Sequence, residues 1–215
     1  MMVRKGLVVF LLTLCLGAFQ YYNNDGNINR GNSSPINYDG GISPVECKII
    51  VAVIPDASKE WLEGLKERIK LAAEKVWECT EGQMCISEAT ITDKSKEGDI
   101  IIANLDDKKY NKEKWGYTSK KDRRIYLGGK FPTVTFCHEW GHAKFALPEE
   151  YDEPQCKECI MNPWASKFQF CDKDNHHKER KDANCWSHIL EQYNKWKHPN
   201  KYGKTPEIKI TVKDK

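Results

Sequence analysis

The stretch PTVTFCHEWGHAKFALPEEYD (132–152) decides how the rest of the chain reads. Pro132 suits the first turn of a helix and Pro148 cannot continue one, so the pattern predicts a helix over Thr133–Leu147. Within it, His138-Glu139-Trp140-Gly141-His142 places two histidines at i and i+4. Residues four apart share one helix face, so both imidazoles can reach a single metal ion. Glu139, next to the first of them, can accept a proton from an activated water without being a ligand. The bland alternative is a pair of satisfied histidines on a helix face. The neighbouring sequence favours the metal.

A zinc ion needs a third protein ligand and an open fourth position. The candidates follow Pro148, where the helix breaks and the chain can turn back: Glu149, then Glu150, then Asp152. The metzincin pattern HExxHxxGxxH would put Gly and His where Phe145 and Pro148 stand, so the plain motif is absent. Glu149, one step later, is the nearest substitute, with His176 and His177 as remote options. Cys159-Ile160-Met161-Asn162-Pro163 then offers a Met in a tight turn, the other half of a metzincin signature. The chemistry this set implies is metal-assisted peptide hydrolysis, with Glu139 as general base.

Upstream, Lys48–Ile54 (KIIVAVI) is a β-branched apolar run between Pro44 and Pro55, hence a buried strand. Asp56 is positioned to cap a helix over Ala57–Trp77, whose apolar residues recur in three- and four-residue steps. Strands are predicted at Met84–Ile91, Asp99–Ala103, Trp115–Thr118 and Arg124–Leu127, and a last helix at Ala183–Trp196 with an aromatic stripe read as core. The fold class expected is α+β: a metzincin-like zincin domain with a twisted mixed sheet, an active-site helix and a C-terminal helix. Arg124–Leu127 is the expected edge strand for an extended substrate.

The chain has 215 residues, 34 Lys+Arg against 31 Asp+Glu and a net charge of +3, too little for an electrostatic nucleic-acid footprint. A mean hydropathy of −0.69 excludes a polytopic membrane protein. Arg4 and Lys5 precede an apolar run, Gly6–Phe19, as in a secretory signal. Residues 1–20 are therefore read as a signal peptide or N-terminal anchor, with cleavage after Gly17 or Ala18, lipidation at Cys15 and retention all open. Residues 21–44, rich in Asn and Gly, read as a polar linker, and 45–215 as the metallopeptidase domain. The location expected is extracellular, free or tethered to the outer face of the membrane. Outside the leader, eight of the nine cysteines remain, an even number suited to disulfides.

HEWGHAKFALPEEYD (138–152) resembles the HEWxHLRWGVFDEYN stretch of the calcium-activated chloride channel regulator family's N-terminal, metalloprotease-like domain. Ile160-Met161 is similar to that family's Met-turn, and Phe170-Cys171, His176, Glu179 and Cys185 to its F-C…H-x-x-E…C run. The resemblance is specific over Arg123–Trp186. It implies zinc ligands at His138, His142 and Glu149, where the family has Asp, and a catalytic carboxylate at Glu139. Ala146 stands where the family has Gly, and Tyr151 is shared. Tyr151 or His176 could then stabilise an oxyanion. The resemblance also implies a Cys171–Cys185 bond. Spacing offers Cys79–Cys85 and Cys156–Cys159 as further pairs, which with the implied bond leaves Cys47 and Cys137 for each other, and a structural zinc on Cys156 and Cys159 is the rival.

The reading is a secreted or surface-tethered, zinc-dependent metalloendopeptidase. Its expected partners are a peptide or protein substrate, its own chain included. No nucleic acid is expected, the membrane enters only through an N-terminal anchor, and the protein is expected to be a monomer. The alternatives are a catalytically inactive metzincin-like binding or adhesion module held by disulfides, or a disulfide-rich structural protein with a purely structural metal.

Overall fold

Three consecutive residues without solvent exposure, Val51, Ala52 and Val53, mark the centre of the sheet. They end β1 (Val45–Val53), and a strand covered on both faces needs this unbroken apolar run. The computed structural model describes residues 43–150, 156–162, 165–176 and 184–214. The leader expected over 1–20 and the linker expected over 21–44 lie outside the described residues, apart from Ser43 and Pro44.

After β1 come α1 (Lys59–Cys79), β2 (Met84–Thr92), β3 (Ile100–Ile102), β4 (Gly116–Thr118) and β5 (Ile125–Leu127). Then follow α2 (Thr133–Phe145), α3 (Cys185–Gln192) and β6 (Lys209–Lys213). The sheet order is β4-β5-β3-β1-β2-β6. Only β4 runs antiparallel to its neighbour; the other pairings are parallel. The result is an α+β architecture with a six-stranded mixed sheet and, among the described residues, three helices. None of these helices is long and apolar enough to cross a membrane.

Helix α1 starts later than its periodicity suggested. Ser58 Oγ accepts the Trp61 N–H at 3.2 Å, so Ser58 is the N-cap. Asp56 instead faces Lys94 at 3.4 Å, and Asp93 takes the Ala57 N–H. The helix then buries Leu62, Leu65, Ile69, Ala72 and Val76, the stripe its spacing predicted.

Helix α2 behaves differently. Thr135 through Gly141 are buried without a break, so no side of this segment faces water. It packs against α1, β4 and β5. Two expectations need correction here. Arg124–Leu127 is not an edge, because β5 lies between β3 and β4; the edge strand is β4. The last helix stops at Gln192, and β6, which the sequence reading did not predict, closes the other edge beside β2. The aromatic stripe is core: Trp186, Ile189 and Trp196 are buried, and Phe145 meets Tyr193 and Trp196 edge-on.

Candidate metal centre

The two histidines of α2 stand one turn apart, with ring centroids 4.8 Å apart and planes crossed at 83°. Each ring is held through Nδ1. His138 Nδ1–H donates to the Ile160 carbonyl at 3.0 Å, and His142 Nδ1–H donates to the Leu147 carbonyl at 2.7 Å. A carbonyl can only accept, so both Nδ1 atoms carry the proton. In the neutral rings each Nε2 then presents a lone pair, and the two atoms face each other at 3.1 Å. Two lone pairs at that distance repel unless a proton or a metal ion lies between them. This is the arrangement in which a metal-binding histidine is fixed by its other nitrogen.

Glu149 completes the set. Its carboxylate oxygens lie 3.2 Å from His138 Nε2 and 3.3 Å from His142 Nε2. For bonds of about 2.0–2.1 Å to a tetrahedral ion, neighbouring ligand atoms stand about 3.3–3.4 Å apart. The three separations are close to that edge length, and two imidazoles with a carboxylate are donors that a divalent metal such as zinc accepts. Burial alone would raise the Glu149 pKa, but the two imidazoles beside it outweigh this and hold it well below the usual carboxylate range. His142 moves the opposite way: burial lowers it, and the Glu149 carboxylate more than compensates.

The end of α2 delivers Glu149. Ala146 adopts a left-handed conformation, φ 55° and ψ 29°. Its N–H donates to the His142 carbonyl and the Leu147 N–H to the Gly141 carbonyl, which satisfies the helix end and turns the chain sharply. That turn points the Leu147 carbonyl at His142 and brings Glu149 back over the rings. Glu150 goes elsewhere. Its N–H donates to the Met161 carbonyl, its own carbonyl accepts from Asn162 Nδ2, and its carboxylate faces Cys171 and Cys185. Of the two glutamates that the sequence left open, the fold therefore places Glu149 at the histidines.

Glu139 is buried, 6 % exposed, and accepts a hydrogen bond of 2.7 Å from Thr118 Oγ1 on the edge strand β4. Burial raises its pKa, and the Thr118 hydroxyl and the two imidazoles offset part of that rise. Gly116 lies directly against it. A Cβ there would come within 2.7 Å of Glu139 Cγ and 2.8 Å of Oε1, so only glycine leaves the carboxylate its place.

Met161, with no solvent exposure, packs against α2 at Gly141. A Cβ on Gly141 would stand 2.5 Å from its sulfur, which explains the glycine inside the HEWGH motif. Thr118, Gly116 and the carbonyls of Ile160 and Leu147 escaped the sequence reading. A backbone carbonyl carries no residue-type signal, and a Thr in a three-residue strand carries little.

Other expectations come out differently. Asp152, Tyr151 and His177 lie outside the described residues. His176 is buried beside Cys171, with Nδ1 3.2 Å from the sulfur, rather than at the histidine pair of α2. The eight described cysteines are all free thiols. Cys79 contacts Cys137, across α1 and α2, and Cys85 on β2 is the register partner of Glu46, next to Cys47 on β1, so the expected Cys79–Cys85 and Cys47–Cys137 pairings give way to the opposite exchange of neighbours. Comparison with protein-family models, curated proteins and solved structures finds no match to this chain.

Proposed function

We propose that this chain is a zinc-dependent metallopeptidase of metzincin-like zincin fold, acting outside the cell or on its outer surface. The observation that carries the reading is the convergence of His138 Nε2, His142 Nε2 and Glu149 on one point, with both Nδ1 atoms locked to carbonyls. The resemblance of residues 138–152 to the calcium-activated chloride channel regulator family supports it further. So does the Met161 turn under the helix.

His138, His142 and Glu149 would hold the zinc. When bound, zinc supplies Lewis acidity, lowering the pKa of water toward neutrality and polarising a carbonyl. Glu139 takes a proton from the attacking water and returns it to the leaving amine. Burial shifts its pKa upward, the direction that favours holding the proton before it is returned. Thr118 aims the carboxylate, and burial keeps bulk water from competing for it. β4 is the free edge of the sheet and lies against Glu139. An extended peptide that added to this edge would pass its backbone beside the carboxylate. The substrate class is therefore an extended stretch of polypeptide.

The test is zinc content and casein cleavage in wild type and Glu139→Ala. The variant is expected to keep its zinc and lose cleavage by about 10²–10⁴-fold. Full proteolysis in the variant would refute the general base. A wild type without bound zinc would refute the enzyme itself.

A further inference from the structure

Four buried thiols meet on the far side of the Met161 turn. The sulfurs of Cys156, Cys159 and Cys171 lie within 4.8 Å of one another. Cys185 Sγ is 3.5 Å from Cys159 Sγ and within 4.8 Å of Cys171 Sγ. All four residues are 3 % exposed or less. We infer that Cys156, Cys159, Cys171 and Cys185 hold a second metal ion, a structural Zn²⁺, independent of the histidine site.

The first reason is the pattern of neighbours. Disulfides would join four sulfurs two by two, each with one close partner. Here Cys159 is within reach of all three others, and Cys171 likewise. That mutual arrangement is what a single central ion imposes. Zn–S bonds of about 2.3 Å put tetrahedral sulfurs about 3.8 Å apart; Cys159 and Cys185 stand 3.5 Å apart, and the Cys156–Cys159, Cys156–Cys171, Cys159–Cys171 and Cys171–Cys185 pairs lie within 4.8 Å.

The second reason is the polar surroundings. The Cys185 N–H donates to Cys171 Sγ at 3.3 Å, and His176 Nδ1 lies 3.2 Å from the same sulfur. The Cys185 N–H aimed at this sulfur stabilises thiolate, the form that a metal requires. Cys156-Lys157-Glu158-Cys159 forms a tight turn, with the Cys159 N–H on the Cys156 carbonyl at 3.0 Å, so both sulfurs of the CxxC project to one side.

The third reason is need. Among the described residues between Phe145 and Cys185 there is no helix or strand. A Cys₄ site would join the turn before Met161, the segment at Cys171 and the start of α3 at a single point. Ile160, whose carbonyl orients His138, follows the ligand Cys159 directly.

The experiment uses the full chain, produced with zinc and isolated without oxidant, as wild type and as the double variant His138→Ala/His142→Ala. The wild type is expected to carry two zinc ions per chain and the double variant one. Cobalt exchanged into the double variant should give intense thiolate-to-cobalt charge transfer with tetrahedral ligand-field bands. Adding Cys159→Ser to the double variant should remove the remaining ion. A cobalt spectrum without thiolate character overturns the proposal, and that reading is made on a variant whose thiols are all intact. So does an unreduced mass that shows two disulfides among these four cysteines. Loss of only the histidine-site zinc from wild type would count against the peptidase reading and leave this one standing.

Discussion

The molecule has two halves that are built on different principles. From Val45 to Phe145, sheet and helices satisfy the backbone through their own ladders, and the core is mostly aliphatic, with Phe131, Phe136, Trp140 and Phe145 around α2. From Ala146 to Cys185 regular structure is missing among the described residues, and the chain is held by single contacts instead. These include Asn162 on the Glu150 carbonyl, the His138 ring on the Ile160 carbonyl, the four thiols, and His198 between Glu81 and Asp172. The candidate centre lies where the halves meet. α2 supplies the histidines and Glu139, while the irregular half supplies Glu149, the Ile160 carbonyl and Met161. Regular structure sets the spacing of the ligands, and the irregular segment sets their orientation.

The contrast can be broken most sharply at Glu149 and Glu150. Glu149→Gln should lower affinity for zinc at the histidine site by at least about 100-fold, whereas Glu150→Gln should keep that ion. Zinc titration in a background lacking the thiol ligands separates the two, and equal losses would contradict the placement of Glu149. Gly141→Ala strikes the seam itself. Its methyl would collide with Met161, and overpacking of this kind costs about 1–3 kcal/mol, readable by chemical denaturation. An unchanged midpoint would mean that the Met161 turn does not press on α2.

His198 gives a pH test of the irregular half. Burial would lower its pKa, but Glu81 at 3.0 Å and Asp172 at 2.9 Å raise it above the ordinary value. A raised folded pKa stabilises fully below the unfolded value of about 6.5, and that contribution is lost as pH rises through the folded value. His198→Gln should therefore cost about 1 kcal/mol near pH 6 and little near pH 9. A gap that widened with pH would reverse the assigned sign. The smallest effect is expected at the helix exit. Ala146 occupies a left-handed conformation that favours glycine, so Ala146→Gly should stabilise by up to about 1 kcal/mol in thermal unfolding. A lower midpoint would show that the methyl group contributes packing worth more than the strain it causes.

Much of the first half was legible. KIIVAVI reads as a buried strand because β-branched residues crowd a central position, and α1 shows its stripe at helical spacing. The cap shifted from Asp56 to Ser58 because Lys94 and Asp93, remote in sequence, engage the chain there. β6 went unread because lysines alternate with its apolar residues, the pattern of an exposed edge. Glu139 and the two histidines announce themselves by spacing within one helix. The choice of Glu149 over Glu150 does not, because it depends on the left-handed turn at Ala146 and on the Met161 carbonyl that captures the Glu150 N–H.

By itself the sequence determined the helix that carries His138, Glu139 and His142, since a four-residue spacing on one helix is a local property. It also determined the buried strand over Lys48–Ile54, where β-branched apolar residues follow one another. Only the tertiary structure decided which glutamate meets the two histidines, the partner of Glu139 on β4, the edge strand and the grouping of the four thiols. Each of these joins residues far apart along the chain, and distance in sequence says nothing about which of many pairings the packing of the core allows.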